Sequence, residues 1–172
     1  MNNDFTLADV QRLIAEAILV HDHNGNFTQR VNFFDIFGYV DLTNVYGATI
    51  ATTSTSDAYF LASVTGNVIQ IDFSATAALA ANDTNYITWT VTNLGQAGAG
   101  SAAILAATDA NTTKATGGTA ISADTKRTLT LTSTLNNLQV VQGDRIRVRA
   151  TATGTLANTV TFPVYLIHIR TQ

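Results

Sequence analysis

Apolar and polar residues alternate one by one through much of the chain after residue 42, and this period of two constrains the fold more than any other feature. In "YITWTVTNL", Ile87, Trp89 and Val91 alternate with threonines, and "GDRIRVRATATG" repeats the pattern. Because successive side chains of a strand point to opposite faces, each segment predicts a strand with one buried and one polar face. The alternation favours antiparallel β structure, and no second helix is long enough for an α/β fold.

Other segments predict further strands. "AYFLASV" and "NVIQIDFSA" flank Gly66-Asn67, which predicts a hairpin, and in the second segment Ile69, Ile71 and Phe73 form the apolar face. "GSAAILAATD", "RTLTLTST" and "NTVTFPVYLIHIRTQ" complete the set, with Pro163 expected at an edge or bulge. The sequence therefore predicts a mainly β protein: a short N-terminal helix and an antiparallel jelly roll or β-sandwich of about eight strands.

Composition limits the classes of partner. Charged residues make up 12% of the 172 residues, about half the usual share, and Thr, Ala, Asn and Gly largely replace them. Such a surface suits a protein packed against copies of itself or against a larger assembly. The net charge of −3 gives no basic footprint for nucleic acid. No apolar run reaches the roughly 18 residues that span a membrane, and we expect no signal peptide at "MNNDFTLADV".

The first 42 residues form a predicted assembly or anchoring segment, followed by a β domain over residues 43–172. Thr6 and Asp9 resemble a helix N-cap, and helix-forming residues continue to Val20. The apolar positions at heptad spacing are Leu7, Val10, Ile14 and Ala17. This helix either docks on its own domain or self-associates, because a helix this short is marginal alone.

An aromatic connector follows the helix, over residues 24–42. Its aromatic residues include Phe27, Phe33, Phe34 and Phe37. Aromatic side chains of this size need burial, so they either close the base of the β domain or insert into a neighbouring protein as anchors.

His21 and His23 stand between the helix and the Asn24-Gly25 turn signal, separated by Asp22. The two histidines share a face if the backbone is extended there. In one chain the pair is an ordinary polar turn or a weak site. Three chains meeting on a threefold axis would supply six imidazoles, which suit iron, nickel or zinc. The pair is therefore a metal-site hypothesis that depends on a trimer.

Catalytic motifs are absent from the sequence. There is no G-x-S-x-G element and no Walker loop, and Glu16 is the only glutamate. Residues 107–125 have the polar, Gly-punctuated composition of a loop. The aspartates at predicted strand ends suit turns; they are Asp83, Asp109, Asp124 and Asp144. We therefore expect no enzymatic activity, and no cofactor apart from the metal considered above.

Three arginines give the densest charge in the chain. Arg145, Arg147 and Arg149 alternate with apolar residues and so share one strand face. They either form a solvated outer face or meet an anionic partner, such as acids of a neighbouring subunit, a capsid surface or an anionic glycan. Trp89 could stack on a sugar, but its phase with Ile87 and Val91 predicts a core position.

Two phrases, "LAANDTNYITWTVTNLG" and "TLNNLQVVQGDRIRVRATATGT", resemble segments of jelly-roll domains in tailed-bacteriophage head decoration (cement) proteins and fibres. His-x-His elements are similar to those that bind a metal on the axis of trimeric phage fibres, although this chain has only one. The phrases cover about half the chain.

The resemblance implies a homotrimer on the outer surface of a phage particle, on the head. It implies a structural, non-enzymatic protein that binds the major capsid protein and stabilises the shell, with no nucleic-acid or membrane partner. The alternative is a tail-fibre or baseplate module that recognises a host-surface glycan.

Overall fold

A computed structural model describes residues 40–171, and within this range the protein is mainly β. Nine strands are present in it: β1 Val40–Tyr46, β2 Thr55–Leu61, β3 Gly66–Ser74, β4 Tyr86–Asn93, β5 Ala102–Ala103, β6 Arg127–Leu129, β7 Gln139–Val140, β8 Arg145–Thr153 and β9 Val164–Thr171. Two short 3-10 helices, Asp109–Asn111 and Leu135–Leu138, lie in the connections. The predicted N-terminal helix lies outside the described residues, whereas residues 40–42 of the predicted connector belong to β1.

The strands form two antiparallel sheets. Sheet I has the order β1-β9-β3-β6, with β7 also paired to β3, and sheet II has the order β2-β8-β4-β5. The apolar faces of both sheets contribute to one core. Phe73 of sheet I packs on Trp89 of sheet II with their ring centroids 4.9 Å apart. The prediction of a mainly β, antiparallel architecture is confirmed.

The alternating segments bury the predicted residues. Ile87, Trp89 and Val91 are all at most 1% exposed, and Ile146, Val148 and Ala150 are equally buried. Trp89 is therefore a core residue, as its phase predicted.

Within the described residues no helix is long and apolar enough to cross a membrane.

The predicted hairpin at Gly66-Asn67 is wrong. β2 pairs with β8 in sheet II and β3 pairs with β9 in sheet I, so the connection between β2 and β3 crosses from one sheet to the other. Gly66 is buried in β3, where a Cβ would collide with the carbonyl oxygen of Arg170. The glycine is thus needed for the close approach of two strands rather than for a turn.

The predicted phase of β3 fails at Ile69. A bulge shifts the register between Val68 and Gln70, so Ile69 is the extra residue and is 37% exposed. Val68, only 1% exposed, takes its place in the core ahead of Ile71. A bulge inserts one residue without a partner and thereby reverses the alternation, which the sequence pattern alone does not reveal.

Pro163 is buried and immediately precedes β9, which lies between β1 and β3 in sheet I. The prediction of an edge or bulge position is therefore wrong. The proline is tolerated because it stands before the first paired residue and interrupts no bond of the ladder. Its carbonyl accepts a hydrogen bond from the amide of Gly47 at 2.8 Å.

Candidate functional site

The two phrases that carry the phage resemblance form one continuous ribbon in sheet II. β4 comes from the first phrase and β8 from the second, and they pair from Tyr86↔Thr153 to Asn93↔Ile146. The two phrases are therefore parts of one structural unit rather than two separate segments.

Side chains fasten one end of this ribbon. Asn93 Nδ2 donates to Asp144 Oδ2 at 2.8 Å, and the same carboxylate oxygen accepts from the Val141 amide at 2.9 Å. Asn93 Oδ1 accepts from the Gly95 amide at 2.8 Å. Asn93 and Asp144 are both at most 9% exposed, so the strand ends are joined by a buried polar pair.

Two asparagines hold the other end. Asn82 Oδ1 accepts from the amides of Thr84 and Asn85, each at 2.8 Å, and Asn85 Oδ1 accepts from the Thr155 amide at 3.0 Å. Gly154 has a φ of 67°, and a Cβ there would collide with Asn85 Oδ1. These end residues of the two phrases, Asn82, Asn85, Asn93 and Asp144, therefore determine turns and register, which explains them without any binding role.

The three arginines lie on the outer face of β8, as predicted, but their surroundings differ. Arg149 donates to both carboxylate oxygens of Asp57 on β2, each at 2.7 Å. These bonds, together with the positive charges of Arg149 and Arg147, hold the pKa of Asp57 below its ordinary value. The guanidinium of Arg145 stacks over the Tyr59 ring, 4.3 Å from its centroid.

Arg147 lies between these two and has no comparable partner. In the register of sheet II it faces Tyr59 on β2 and Thr92 on β4. Its Nε is buried and has no hydrogen-bond acceptor within the described residues. Such an orphaned donor is costly, because water that solvated it in the unfolded chain is not replaced.

Arg147 borders a groove on the outer face of β4, which we call the Arg147 groove. Its volume is about 650 Å³, within the range of small-molecule sites. Outward residues of β4, namely Tyr86, Thr88, Thr90 and Thr92, line it, and residues 105–109 form part of the opposite wall. None of the three threonine hydroxyls has a hydrogen-bond partner within residues 40–171.

The strand predicted at "GSAAILAATD" is limited to Ala102–Ala103. The wall of the groove belongs to the long β5–β6 connection that follows, which includes the predicted loop over residues 107–125. It is irregular but firmly attached. Asn111, only 1% exposed, donates to the carbonyls of Ala106 and Thr130 at 2.9 and 2.8 Å. Thr113 exchanges hydrogen bonds with the backbone of Ile87, through its amide at 2.9 Å and its hydroxyl at 2.8 Å. The wall is therefore an extension of sheet II.

Arg127 attaches the same connection to the core. Its guanidinium donates to the carbonyls of Ala110, Thr112 and Thr119 at 2.7–2.8 Å and stacks 4.8 Å from the Trp89 ring centroid. Burial lowers the pKa of Arg127. Sequence reasoning missed this role, because nothing local distinguishes a structural arginine from a solvated one.

Lys114 is the other cation at the groove, and it is already paired. Its Nζ lies 2.8 Å from Asp109 Oδ1 and 5.0 Å from the Tyr86 ring centroid. Arg147 is therefore the cation of this groove that forms no ion pair among the described residues, although its charge acts on Asp57 of β2.

On the outer face of sheet I, by contrast, the buried carboxylate of Asp72 has several hydrogen-bond and charge partners. The carboxylate is 5% exposed and accepts from Gln70 Nε2 at 2.7 Å and from Thr128 Oγ1 at 2.6 Å. His168 Nε2 lies 3.2 Å away and Lys126 Nζ 3.5 Å away. Burial acts to raise the pKa of Asp72, but the hydrogen bonds and the Lys126 charge outweigh it, so the pKa lies below its ordinary value.

The remaining predicted site residues lie outside the described residues. They are His21 and His23, the heptad positions Leu7, Val10, Ile14 and Ala17, and the aromatics Phe27, Phe33, Phe34 and Phe37. Within the described part of the chain, no group of three or more His, Cys, Asp or Glu residues is placed to hold a metal ion.

Comparison with known proteins adds no relative. No protein-family model, no curated protein and no solved structure matches the chain.

Proposed function

We propose that the chain is a non-enzymatic structural protein of the phage virion: a homotrimeric decoration protein that binds the major capsid protein and stabilises the head. The observation that carries the proposal is the β4–β8 ribbon. The phrases that resemble phage decoration and fibre proteins pair with each other over its whole length, so the resemblance concerns the centre of a fold.

The strand pairing supports a jelly roll. The first strand pairs with the last, β1 with β9, and the second with the last but one, β2 with β8. β3 then pairs with β7, so the pairs are nested and the chain wraps from sheet to sheet. Nested pairing of this kind is typical of jelly rolls, which occur in viral capsid proteins and lectins.

In this proposal the segment before Val40 attaches the protein to the shell. Exposed apolar residues at the start of the β domain, Leu42 at 55% and Tyr46 at 78%, are suited to burial against a neighbouring protein. The helix with Leu7, Val10, Ile14 and Ala17 would associate around a threefold axis, which would bring three copies of His21 and His23 together.

Cryo-electron microscopy of the particle tests the location. We expect density for the protein at repeated positions over the capsid; density confined to the tail would contradict the decoration role.

Light scattering on the purified full-length chain is expected to give the mass of a trimer. A monomer at micromolar concentration would contradict both the trimer and the metal site at the histidine pair.

Removing residues 1–39 tests the attachment segment while leaving β1 complete. We expect circular dichroism to retain the β signal and particle binding to be lost. Retained binding by the truncated chain would place the attachment surface on the β domain instead.

A second candidate function is a receptor-binding module of a fibre or baseplate. The Arg147 groove favours it, because a cavity with an unpartnered cation is more than a shell-stabilising face requires. Specific, competable binding to host-surface glycans, with tail density in the particle map, would support this function over decoration.

A further inference from the structure

We infer that the Arg147 groove is a binding site for a carboxylate-bearing saccharide, with the Arg147 guanidinium holding the carboxylate and the β4 threonines holding the sugar hydroxyls. The inference deepens the second candidate function. It concerns the ligand chemistry of the groove and does not depend on where the protein sits on the particle.

The first observation in favour of this site is the unpaired guanidinium of Arg147. Arg147 Nε is buried and has no acceptor, whereas Arg149 on the same face is fully engaged with Asp57. A planar guanidinium binds a carboxylate through two parallel hydrogen bonds, which satisfies several donors at once. Because Arg147 lines the groove, a carboxylate bound there would form the ion pair that this guanidinium lacks within residues 40–171.

The second observation is the row of threonine hydroxyl groups on β4. Thr88, Thr90 and Thr92 follow one another at every second position along β4 and line the groove with hydroxyl groups that are unpaired within residues 40–171. A hydroxyl both donates and accepts, so a row of them matches the hydroxyls of a sugar ring. Tyr86 adds an aromatic ring at the end of the row.

Other anionic ligands fit this surface less well. A nucleic acid needs several free cations along its backbone, and the groove offers only Arg147, since Lys114 is paired with Asp109. A peptide bound by strand addition needs an exposed sheet edge. The groove lies instead on the face of β4, which is already paired with β8 and β5.

The test is a titration of the full-length chain with two oligosaccharides that differ only in one group. One ends in glucuronic acid and the other in glucose, and chemical-shift changes or calorimetry report binding. Because a charge-assisted pair contributes strongly to affinity, we expect the acidic probe to bind at least about tenfold more tightly. Equal binding of both probes, or no binding of the acidic probe at millimolar concentration, would overturn the inference.

Matched variants assign the effect to one arginine. Arg147→Met keeps the length and apolar stem of the side chain and is expected to lose most of the preference for the acidic probe. Arg145→Met removes a cation from the same strand face, outside the groove, and is expected to change affinity less than about twofold. Equal losses in both variants would reduce the site to a general charge effect of the face.

Stability and partner controls complete the design. Arg147→Met is expected to melt at or above the temperature of the unmodified protein, so lost binding cannot come from unfolding. Thr88→Val is expected to weaken both probes, because it removes a hydroxyl without removing charge. Binding of an Asp-containing peptide in preference to both saccharides would overturn the inference and make the groove a protein-binding surface.

Discussion

The outer faces of the two sheets each carry a charged side chain with a buried polar atom, and the hydrogen bonding of the two side chains differs. On sheet I the carboxylate of Asp72 is surrounded by Gln70, Thr128, His168 and Lys126. On sheet II the Nε of Arg147 has no acceptor within the described residues. A buried carboxylate with a complete set of partners keeps its hydrogen bonds on folding, whereas a buried donor without an acceptor loses free energy of folding.

This difference distinguishes a structural residue, Asp72, from a candidate binding residue, Arg147. The hydrogen-bond partners of Asp72, namely Gln70, Thr128 and His168, come from β3, β6 and β9, so the carboxylate connects three strands of sheet I. Arg147 connects nothing comparable and borders a cavity instead. We therefore expect changes at Asp72 to affect folding and changes at Arg147 to affect binding.

The largest effect is expected at Asp72. Asp72→Ala leaves the side chains of Gln70 and Thr128 without their acceptor and should lower the free energy of unfolding by about 1–3 kcal/mol. Urea denaturation measures the change. Asp109→Ala is the control, because it removes a carboxylate whose side chain is 49% exposed, and it should cost less than about 1 kcal/mol. Equal losses would contradict the structural role assigned to Asp72.

Asp72 should also contribute to the acid dependence of stability. Its pKa is lowered in the folded protein, so the unfolded chain binds a proton more readily and stability falls as the pH drops below the ordinary carboxyl range, near pH 4. Asp72→Asn should make the fall of unfolding free energy between about pH 4 and pH 2 shallower. An unchanged acid limb in this variant would show that other carboxyl groups dominate.

A smaller effect of opposite sign is expected at Arg147. Arg147→Met removes the orphaned donor while keeping the apolar stem, so stability should stay constant or rise by up to about 1 kcal/mol. The matched variant Arg149→Met breaks the pair with Asp57 and should lower stability slightly. Thermal unfolding of the two variants side by side checks the order, and a clear loss for Arg147→Met would mean that the residue is structural.

The smallest effect is expected at Asp57. Asp57→Asn weakens its bidentate pair with Arg149, but Arg149 and Asp57 are 37% and 24% exposed, and such pairs contribute about 1 kcal/mol or less. The same change removes a carboxylate near Arg147. Stability measured in low and high salt should therefore differ less in this variant than in the unmodified protein.

The strands could be predicted from the sequence because alternation is a local signal. Ile87, Trp89 and Val91 occupy the core where their phase placed them. The exceptions depend on distant strands: Gly66 reads as a turn signal until β3 is seen against Arg170, and the bulge at Ile69 appears only in its pairing with β9.

The candidate site was predictable only in part. The common face of Arg145, Arg147 and Arg149 followed from their spacing, but which of them lacks a partner depends on Asp57 and Tyr59 of another strand. The partners of Asp72 lie up to 96 positions away in the chain. The groove wall could not be foreseen, because polar residues such as Asn111 and Thr113 resemble those of any solvated loop.

The fastened ends of the β4–β8 ribbon have a consequence for how the chain reaches its native state. A slip of one residue between these strands would turn the face of β8 inside out, driving three guanidinium groups into the core and Ile146 and Val148 into water. Asn93 meets Asp144, and Asn85 meets the Thr155 amide, in only one alignment. The two asparagines therefore stabilise only the native register of the ribbon. In a chain that lacks them, the free-energy difference between the native register and a shifted register would be smaller.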